Sequence, residues 1–228
     1  MTPTTVLYIH GLESGPNGRK VRQLRDAGFT VVSELMPCGR AQIARDPMVI
    51  AGVSAAAAAL VASAVVGGLA GLVVAAILLM ALLPWARSRL TRRVTRRSIE
   101  VQKRALAEHA IDVVIGSSFG GAIALELLYR GLWSGPTVLL CPAHELLARR
   151  AWLPRPASLA TLPAEVASGI VVIHGRGDET VPMAHSQALV EGSPAQLVLV
   201  EDGHRLAGVA SPEQFTAWIA RAGGQMPA

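Results

Sequence analysis

The chain carries a serine in a setting that could make it a nucleophile. Ser118 lies between Gly116 and Gly120, directly after an apolar run and directly before a helical pattern. This spacing is typical of a nucleophile elbow, a tight turn that lifts the serine hydroxyl above the edge of a sheet. The backbone amide of Phe119, at the start of the helix, could then stabilise a developing oxyanion. Ser117 is the competing serine, but its spacing to the glycines does not fit the elbow.

A carboxylate and a histidine follow in two later loops. Asp178 could orient a histidine and stabilise its cationic form, with Glu179 as the rival carboxylate. His204 comes just after the last apolar run, where it could reach a serine at a neighbouring strand end. Each residue has a plainer interpretation: the serine or the aspartate caps a helix, and the histidine is a solvated surface residue. The chain order Ser118, Asp178, His204, each after a separate strand, favours the catalytic interpretation.

The motifs around these residues resemble those of the α/β-hydrolases, closest to the small YqiA/YcfP-like esterases. The resemblance covers residues 5–45 and 98–222. Four segments carry it: LYIHGLESGP at 7–16 for the first strand and HG loop, GSSFGG at 116–121 for the elbow, HGRGDETVP at 174–182 for the acid loop, and DGH at 202–204 for the histidine loop.

The resemblance implies a role for each matching residue. Ser118 would be the nucleophile, His204 the general base and acid, and Asp178 the carboxylate that orients it. The backbone amides of Leu12 and Phe119 would form the oxyanion hole. His10 would be structural in the HG turn rather than a base, and no cofactor or metal is expected.

The elements that must position these loops alternate between strand and helix patterns. Strands are predicted at 6–9, 29–35, 112–115, 137–140, 170–173 and 196–200, and helices at 20–27, 99–109, 122–129, 145–151, 182–190 and 212–221. This alternation predicts an α/β fold with a parallel sheet between two helical layers, a three-layer hydrolase core. We expect a hydrolase domain made of residues 1–45 and 98–228.

The remaining segment, residues 46–97, is predicted to be an apolar helical hairpin. Residues 47–86 contain no charged side chain, and as one straight helix they would be ~60 Å long, twice the thickness of a bilayer core. Gly67-Gly68 lies at the midpoint, and Gly67 with Gly71 gives a spacing that lets helices approach closely. Trp85 stands where an interfacial aromatic is expected.

The flanking arginines and the position of the insert predict a topology. Six arginines follow the apolar run, at positions 87, 89, 92, 93, 96 and 97, which favours a cytoplasmic flank. Leu12 precedes the insert and Ser118 follows it, so one shared active site requires an even number of crossings. We therefore expect the inner membrane, with the catalytic domain facing the cytoplasm. The alternative is a soluble cytoplasmic protein in which the insert forms a cap or a subunit interface.

Composition agrees with these expectations and excludes several classes. Hydrophobic residues make up 51% of the chain and charged residues 16%, with a mean hydropathy of +0.42, which excludes a disordered chain. Two cysteines cannot form a disulfide framework or a metal site. The net charge of +5 is not accompanied by any nucleic-acid motif, so no nucleic-acid partner is expected.

Together these features predict a serine hydrolase that cleaves an acyl ester or thioester, with a small-molecule or lipid-like substrate at the membrane surface. The alternative function is a non-catalytic, hydrolase-like module that serves as a scaffold or binding platform at the membrane. The intact set of serine, aspartate and histidine argues against it, because a scaffold has no need to keep all three.

Overall fold

The computed structural model describes residues 4–12, 14–154 and 158–223, which form a parallel six-stranded sheet covered by helices on both faces. The strand order is β2-β1-β3-β4-β5-β6. The strands are β1 (Thr5–Ile9), β2 (Thr30–Val32), β3 (Val113–Ser117), β4 (Thr137–Leu140), β5 (Ile170–Gly175) and β6 (Gln196–Val200). All six predicted strands are present, although β2 is shorter than the apolar run that predicted it.

Two apolar layers hold helices against the sheet, because alternate strand residues point to opposite faces. The helices are α1 (Arg19–Asp26), α2 (Arg40–Ala44), α3 (Pro47–Glu108), α4 (Phe119–Tyr129), α5 (His144–Ala151), α6 (Ala164–Ser168), α7 (Met183–Val190) and α8 (Pro212–Arg221), with a 3-10 turn at Leu159–Thr161. Ile123 and Leu127 of α4 pack in one layer, and Leu24 of α1 and Phe215 of α8 pack in the other. The predicted three-layer α/β architecture is confirmed.

Helix α3 reverses direction at its midpoint, so the insert is a helical hairpin. Gly68 has φ 56° and ψ −144°, a conformation that breaks the helix. Beyond the break, a side chain at Gly71 would overlap the backbone carbonyl of Ser63. These two residues would be ~12 Å apart along a straight helix. The close approach therefore requires two antiparallel arms, 47–67 and 69–108.

An ion-pair cluster closes the base of the hairpin. Asp46 caps the first arm by accepting a hydrogen bond from the backbone of Met48 at 2.9 Å. The same carboxylate contacts Arg93 at 3.2 Å and Arg97 at 2.6 Å on the returning arm. The break in α3 lies at the Gly67-Gly68 pair where the sequence placed the turn, but the two glycines of the predicted close-approach spacing differ. Gly67 faces open space, so only Gly71 makes the close approach.

The returning arm runs without a break into the α/β core. The sequence predicted a separate helix at 99–109, but this segment is the end of α3. Ile99, Gln102 and Ala105 are buried there, whereas the most apolar stretch of α3 has a mean hydropathy of 2.7 and none of it is buried. Within the described residues, α3 alone has the length and composition of a membrane span.

Candidate active site

Ser118 lies in a strained turn between β3 and α4. Its φ of 55° and ψ of −114° are unusual for a residue with a side chain, and such strain is typical of a nucleophile elbow. The glycines on either side are required by close packing. A side chain at Gly120 would overlap the carbonyl oxygen of Ile9, and one at Gly116 would lie 2.6 Å from the carbonyl oxygen of Gly120.

The three residues that the sequence singled out form one chain of hydrogen bonds. Ser118 Oγ lies 2.9 Å from His204 Nε2, and His204 Nδ1 lies 2.8 Å from Asp178 Oδ2. The carboxylate can only accept, so Nδ1 carries a proton and Nε2 of the neutral ring accepts from the serine hydroxyl. The Asp178 side chain is fully buried, whereas the His204 side chain is 20% exposed and faces the site.

The two oxygens of Asp178 have different partners. Oδ1 accepts hydrogen bonds from the backbone amides of Thr180 and Val181, both at 2.8 Å, which shapes the turn before α7. Oδ2 accepts a hydrogen bond from His204. Burial alone would raise the pKa of Asp178, but these amides and His204 outweigh it and hold the pKa below its ordinary value. Glu179, the rival carboxylate, is exposed.

The loop that carries His204 is held in place by its own acidic residue. Asp202 accepts hydrogen bonds from the backbone amides of Gly203 at 2.7 Å, Gly208 at 2.7 Å and Val209 at 3.0 Å. A side chain at Gly175 would overlap the carbonyl oxygen of Asp202, so the acid loop and the histidine loop pack backbone against backbone. This packing fixes the distance between Asp178 and His204.

The HG loop after β1 lies directly against the serine. A side chain at Gly11 would come within 3.3 Å of Ser118 Cβ, which places Leu12 beside the elbow. Phe119 is the first residue of α4, so its amide has no partner within the helix. His10 bonds to the Gly11 carbonyl at 2.8 Å and accepts from the Met36 amide at 3.2 Å. Both ring nitrogens are thus used in holding the loop.

Ser117, the competing serine, points to the opposite face of the sheet. It is buried and accepts a hydrogen bond from Lys20 Nζ at 3.3 Å. Burial lowers the pKa of Lys20, and the neighbouring Cys141 and Asp202 partly offset this effect. Ser117 therefore belongs to a buried polar group on the α1 side and does not face His204.

The sequence matches no protein-family model and no curated protein. Solved structures do match. The YdeN gene product of Bacillus subtilis has a TM-score of 0.57 and 14% identity, over 95% of this chain and 99% of its own. A protein of Agrobacterium vitis S4, provisionally named a hydrolase, has a TM-score of 0.56 and 17% identity, over 96% and 88%.

A third match is a metagenome-derived lipolytic enzyme from the LipS and LipT study, with a TM-score of 0.56 and 13% identity over 96% of this chain and 94% of its own. At these low identities, the matches show a shared backbone fold. The chain has the α/β-hydrolase fold. Within this fold, the elbow, acid loop and histidine loop occupy the carboxyl ends of β3, β5 and β6.

The sequence analysis assigned no role to one residue of this candidate site. His174, at the end of β5, is fully buried, and its Nε2 lies 3.5 Å from Asp178 Oδ2. Nε2 donates to the Val181 carbonyl at 3.0 Å, and Nδ1 accepts from Ser186 at 2.8 Å. It therefore ties the acid loop to α7. The signal that could have revealed it is its place at a buried strand end, four residues before Asp178.

Three buried groups around the acid are close enough to suggest a metal site, but they do not fit one. Cys141, His174 and Asp178 offer ligand atoms within 4.8 Å of one another. Both nitrogens of His174 and both oxygens of Asp178 already have protein partners. Burial raises the pKa of Cys141 to about 12, so its thiol stays protonated, whereas a metal binds the thiolate.

Proposed function

We propose that the protein is a serine hydrolase anchored in the membrane, which cleaves an acyl ester or thioester through an acyl-enzyme intermediate. One observation carries the proposal: the unbroken hydrogen-bond chain from Ser118 through His204 to Asp178, with the serine held in a strained elbow. A turn of this kind has no structural need for a histidine and a buried carboxylate behind its serine.

The reaction follows from the protonation states of that chain. His204 Nε2 takes the proton of Ser118 as the serine oxygen bonds to the acyl carbon. The bond to the alcohol or thiol then breaks, and His204 returns the proton to this leaving group. Water repeats the sequence on the acyl-enzyme and releases the acid. Asp178 stays ionised throughout, because it stabilises the imidazolium rather than taking its proton.

The oxyanion that forms in each step needs donors beside the elbow. The amide of Phe119 points from the start of α4, where the helix dipole also favours negative charge. The amide of Leu12 is the second candidate, brought close by the packing of Gly11 against Ser118.

The hairpin supports a membrane location. An exposed, uncharged helical surface of this size is unfavourable in water, and each arm of ~20 residues matches a bilayer core. Gly11 and Ser118 lie on opposite sides of the insert in sequence and pack together in space. An inserted hairpin must therefore cross the membrane twice. The arginines at its base favour a cytoplasmic catalytic domain at the inner membrane.

The substrate is proposed to be lipid-like, because an anchored site meets membrane amphiphiles at high local concentration. The chemistry itself requires only an acyl carbonyl and a leaving oxygen or sulfur. A small soluble ester should therefore also be cleaved, and it provides the simplest assay.

Ester hydrolysis by the purified, detergent-solubilised chain tests the assignment. Replacing Ser118 with alanine removes the nucleophile and should lower the rate by roughly 10³-fold or more. Ser117→Ala is the matched control, since it deletes the neighbouring hydroxyl on the other face of the sheet and should keep most of the activity. Full hydrolysis by the Ser118→Ala protein would exclude this residue as the nucleophile.

A further inference from the structure

An open cavity of about 1300 Å³ lies between the base of the hairpin and helices α4 and α5. The residues of the hydrogen-bonded site, Ser118, Asp178 and His204, do not line it. Its lining combines basic and apolar side chains from both sides: Trp85, Arg89, Arg92 and Arg96 of α3, Leu125 of α4 and Leu147 of α5. A cavity of this character suits a ligand with an anionic group and an apolar part.

Half of the arginines that line the cavity have acidic partners. Arg130 makes two hydrogen bonds to the Glu126 carboxylate, at 2.9 and 2.8 Å. Arg93 and Arg97 share the carboxylate of Asp46 at the base of the hairpin. The two carboxylates offset two of these three positive charges, so this half of the arginines offers a ligand less charge than the other half.

The other three arginines have no acidic partner within the described part of the chain. Arg89, Arg92 and Arg96 are spaced three and four residues apart, so they share one face of α3, where like charges repel. Arg89 lies over the Trp85 ring at 5.0 Å, and Arg92 donates to Ser88 at 2.9 Å. These contacts orient the guanidinium groups without neutralising them.

The chemistry of the unpaired groups selects the ligand. Guanidinium groups bind phosphate through paired hydrogen bonds, and three on one face can surround a single phosphate. The apolar wall formed by Leu147 and the exposed Leu153 would accept the hydrocarbon next to that phosphate. An amphiphile with a phosphate group matches both halves of the lining, whereas free phosphate uses only one.

The position of the cavity selects the source of the ligand. Trp85 marks the end of the uncharged segment, and the three arginines lie in the next turns of the same helix. In an inserted hairpin this is the level of the lipid headgroups. We infer that the cavity binds the phosphate group of an anionic phospholipid from the cytoplasmic leaflet. This inference rests on the membrane anchoring in the proposed function.

The test measures which lipid the full chain retains. The protein is placed in nanodiscs of equimolar phosphatidylcholine and phosphatidylglycerol, released into mild detergent, and examined by native mass spectrometry. Phosphatidylglycerol should be retained in clear excess over phosphatidylcholine. Arg92→Gln and Arg96→Gln each remove a charge-assisted contact and should reduce its retention by about tenfold.

Two controls separate a built site from general attraction to a basic helix. Arg87 is exposed on the same helix but does not line the cavity, so Arg87→Gln should retain the lipid. Inorganic phosphate added to the released complex should not displace it. Equal retention of both lipids, an equal loss in Arg87→Gln, or displacement by free phosphate would overturn the inference.

Carbonate extraction and ester hydrolysis, measured on the same preparations, distinguish failure of the lipid site from failure of the proposed function. Ser118→Ala protein should lose hydrolysis and retain the lipid. Protein that stays in carbonate-washed membranes without preferring either headgroup would overturn the lipid site alone. Protein released by carbonate would overturn the anchoring and the lipid site together, and would leave the hydrolase proposal in place.

Discussion

At the scale of single residues, Asp178 shows how one side chain can satisfy two interpretations of a motif. The sequence left open whether it caps a turn or orients a histidine. In the structure Oδ1 accepts a hydrogen bond from the turn amide of Val181, and Oδ2 accepts one from His204. A sequence pattern cannot separate these roles, because both place an aspartate in the loop between a strand and a helix.

Replacing Asp178 with asparagine separates them by experiment. The asparagine oxygen can still accept from Thr180 and Val181, so the free energy of unfolding should fall by only about 1 kcal/mol. Its amide group would face His204 Nδ1 and favour the wrong tautomer, so hydrolysis should fall by several orders of magnitude. Glu179→Gln, at the exposed rival, should stay near the activity of the unaltered protein. Near-normal hydrolysis by the Asp178→Asn protein would exclude it as the orienting acid.

Because two histidines are buried, we expect the free energy of unfolding to decrease in mild acid. Burial lowers the pKa of His10 and of His174 below the ordinary 6.5. In mild acid the unfolded chain therefore binds more protons than the folded chain. The free energy of unfolding should therefore fall below about pH 6.5, by at most about 1.4 kcal/mol per pH unit for each histidine. Asp178 and Asp202 do not contribute there, because their pKa values lie below the ordinary 3.8.

Melting temperatures from tryptophan fluorescence, taken between about pH 7.5 and about pH 5, measure this effect. His10→Gln should reduce the slope, since the new amide oxygen can still accept from Met36 without titrating. His109→Gln, at the exposed end of α3, is the matched control and should keep the slope. A melting temperature that does not change over this range would contradict the prediction.

Some contacts of single residues could not be predicted from the sequence. Ser118, Asp178 and His204 could be predicted because each lies in a local motif with a known place at a strand end. His174 could not, because its role depends on Ser186 and Val181, which reach it only through the packing of α7 on β5. The same holds for the Lys20 contact to Ser117, which depends on how α1 packs on its own face of the sheet.

At the scale of elements, the strands and most helices follow from the sequence, because apolar runs and turn residues mark them locally. The arms of the hairpin and its turn at Gly67-Gly68 were predictable for the same reason. Which glycine makes the close approach was not, because it depends on the rotation of one arm against the other. The continuity of α3 through residues 87–108 also follows from packing rather than from any residue pattern.

The two glycines provide a matched test of the hairpin packing. A side chain at Gly71 would overlap the Ser63 carbonyl, so Gly71→Ala must push the arms apart and should cost about 1–3 kcal/mol of stability. Gly67→Ala meets nothing within 4 Å and should leave stability nearly unchanged. Thermal unfolding in detergent compares them. Equal stability of the two variants would mean that the arms do not pack at this point.

At the scale of the whole molecule, the hairpin and the α/β core share one helix, α3, and an ion-pair cluster between Asp46, Arg93 and Arg97. The chain leaves the core at Asp46, passes through the two uncharged arms and returns at Arg97, which contacts Asp46. The insert therefore begins and ends at the same place on the core. This arrangement lets a helical hairpin be inserted between β2 and β3 without separating the HG loop from the elbow.

Reporter fusions test the resulting topology. Fusions at the two chain termini should both report cytoplasm, because the two parts of the core pack together. A reporter inserted at Gly67-Gly68 should report the opposite side of the inner membrane. Termini on opposite sides would contradict both the hairpin crossing and the shared site. A tip reporter on the cytoplasmic side would instead favour a cap or a subunit interface.

The central claim is that Ser118 is the nucleophile of a membrane-anchored hydrolase, and covalent labelling tests it most directly. Cell membranes that contain the full chain are washed with carbonate, treated with a fluorophosphonate, and analysed by peptide mass spectrometry. We expect the washed membranes to retain the protein, with the phosphonyl adduct on Ser118 and none on Ser117. An unlabelled protein, or an adduct on another residue, would contradict the proposed mechanism.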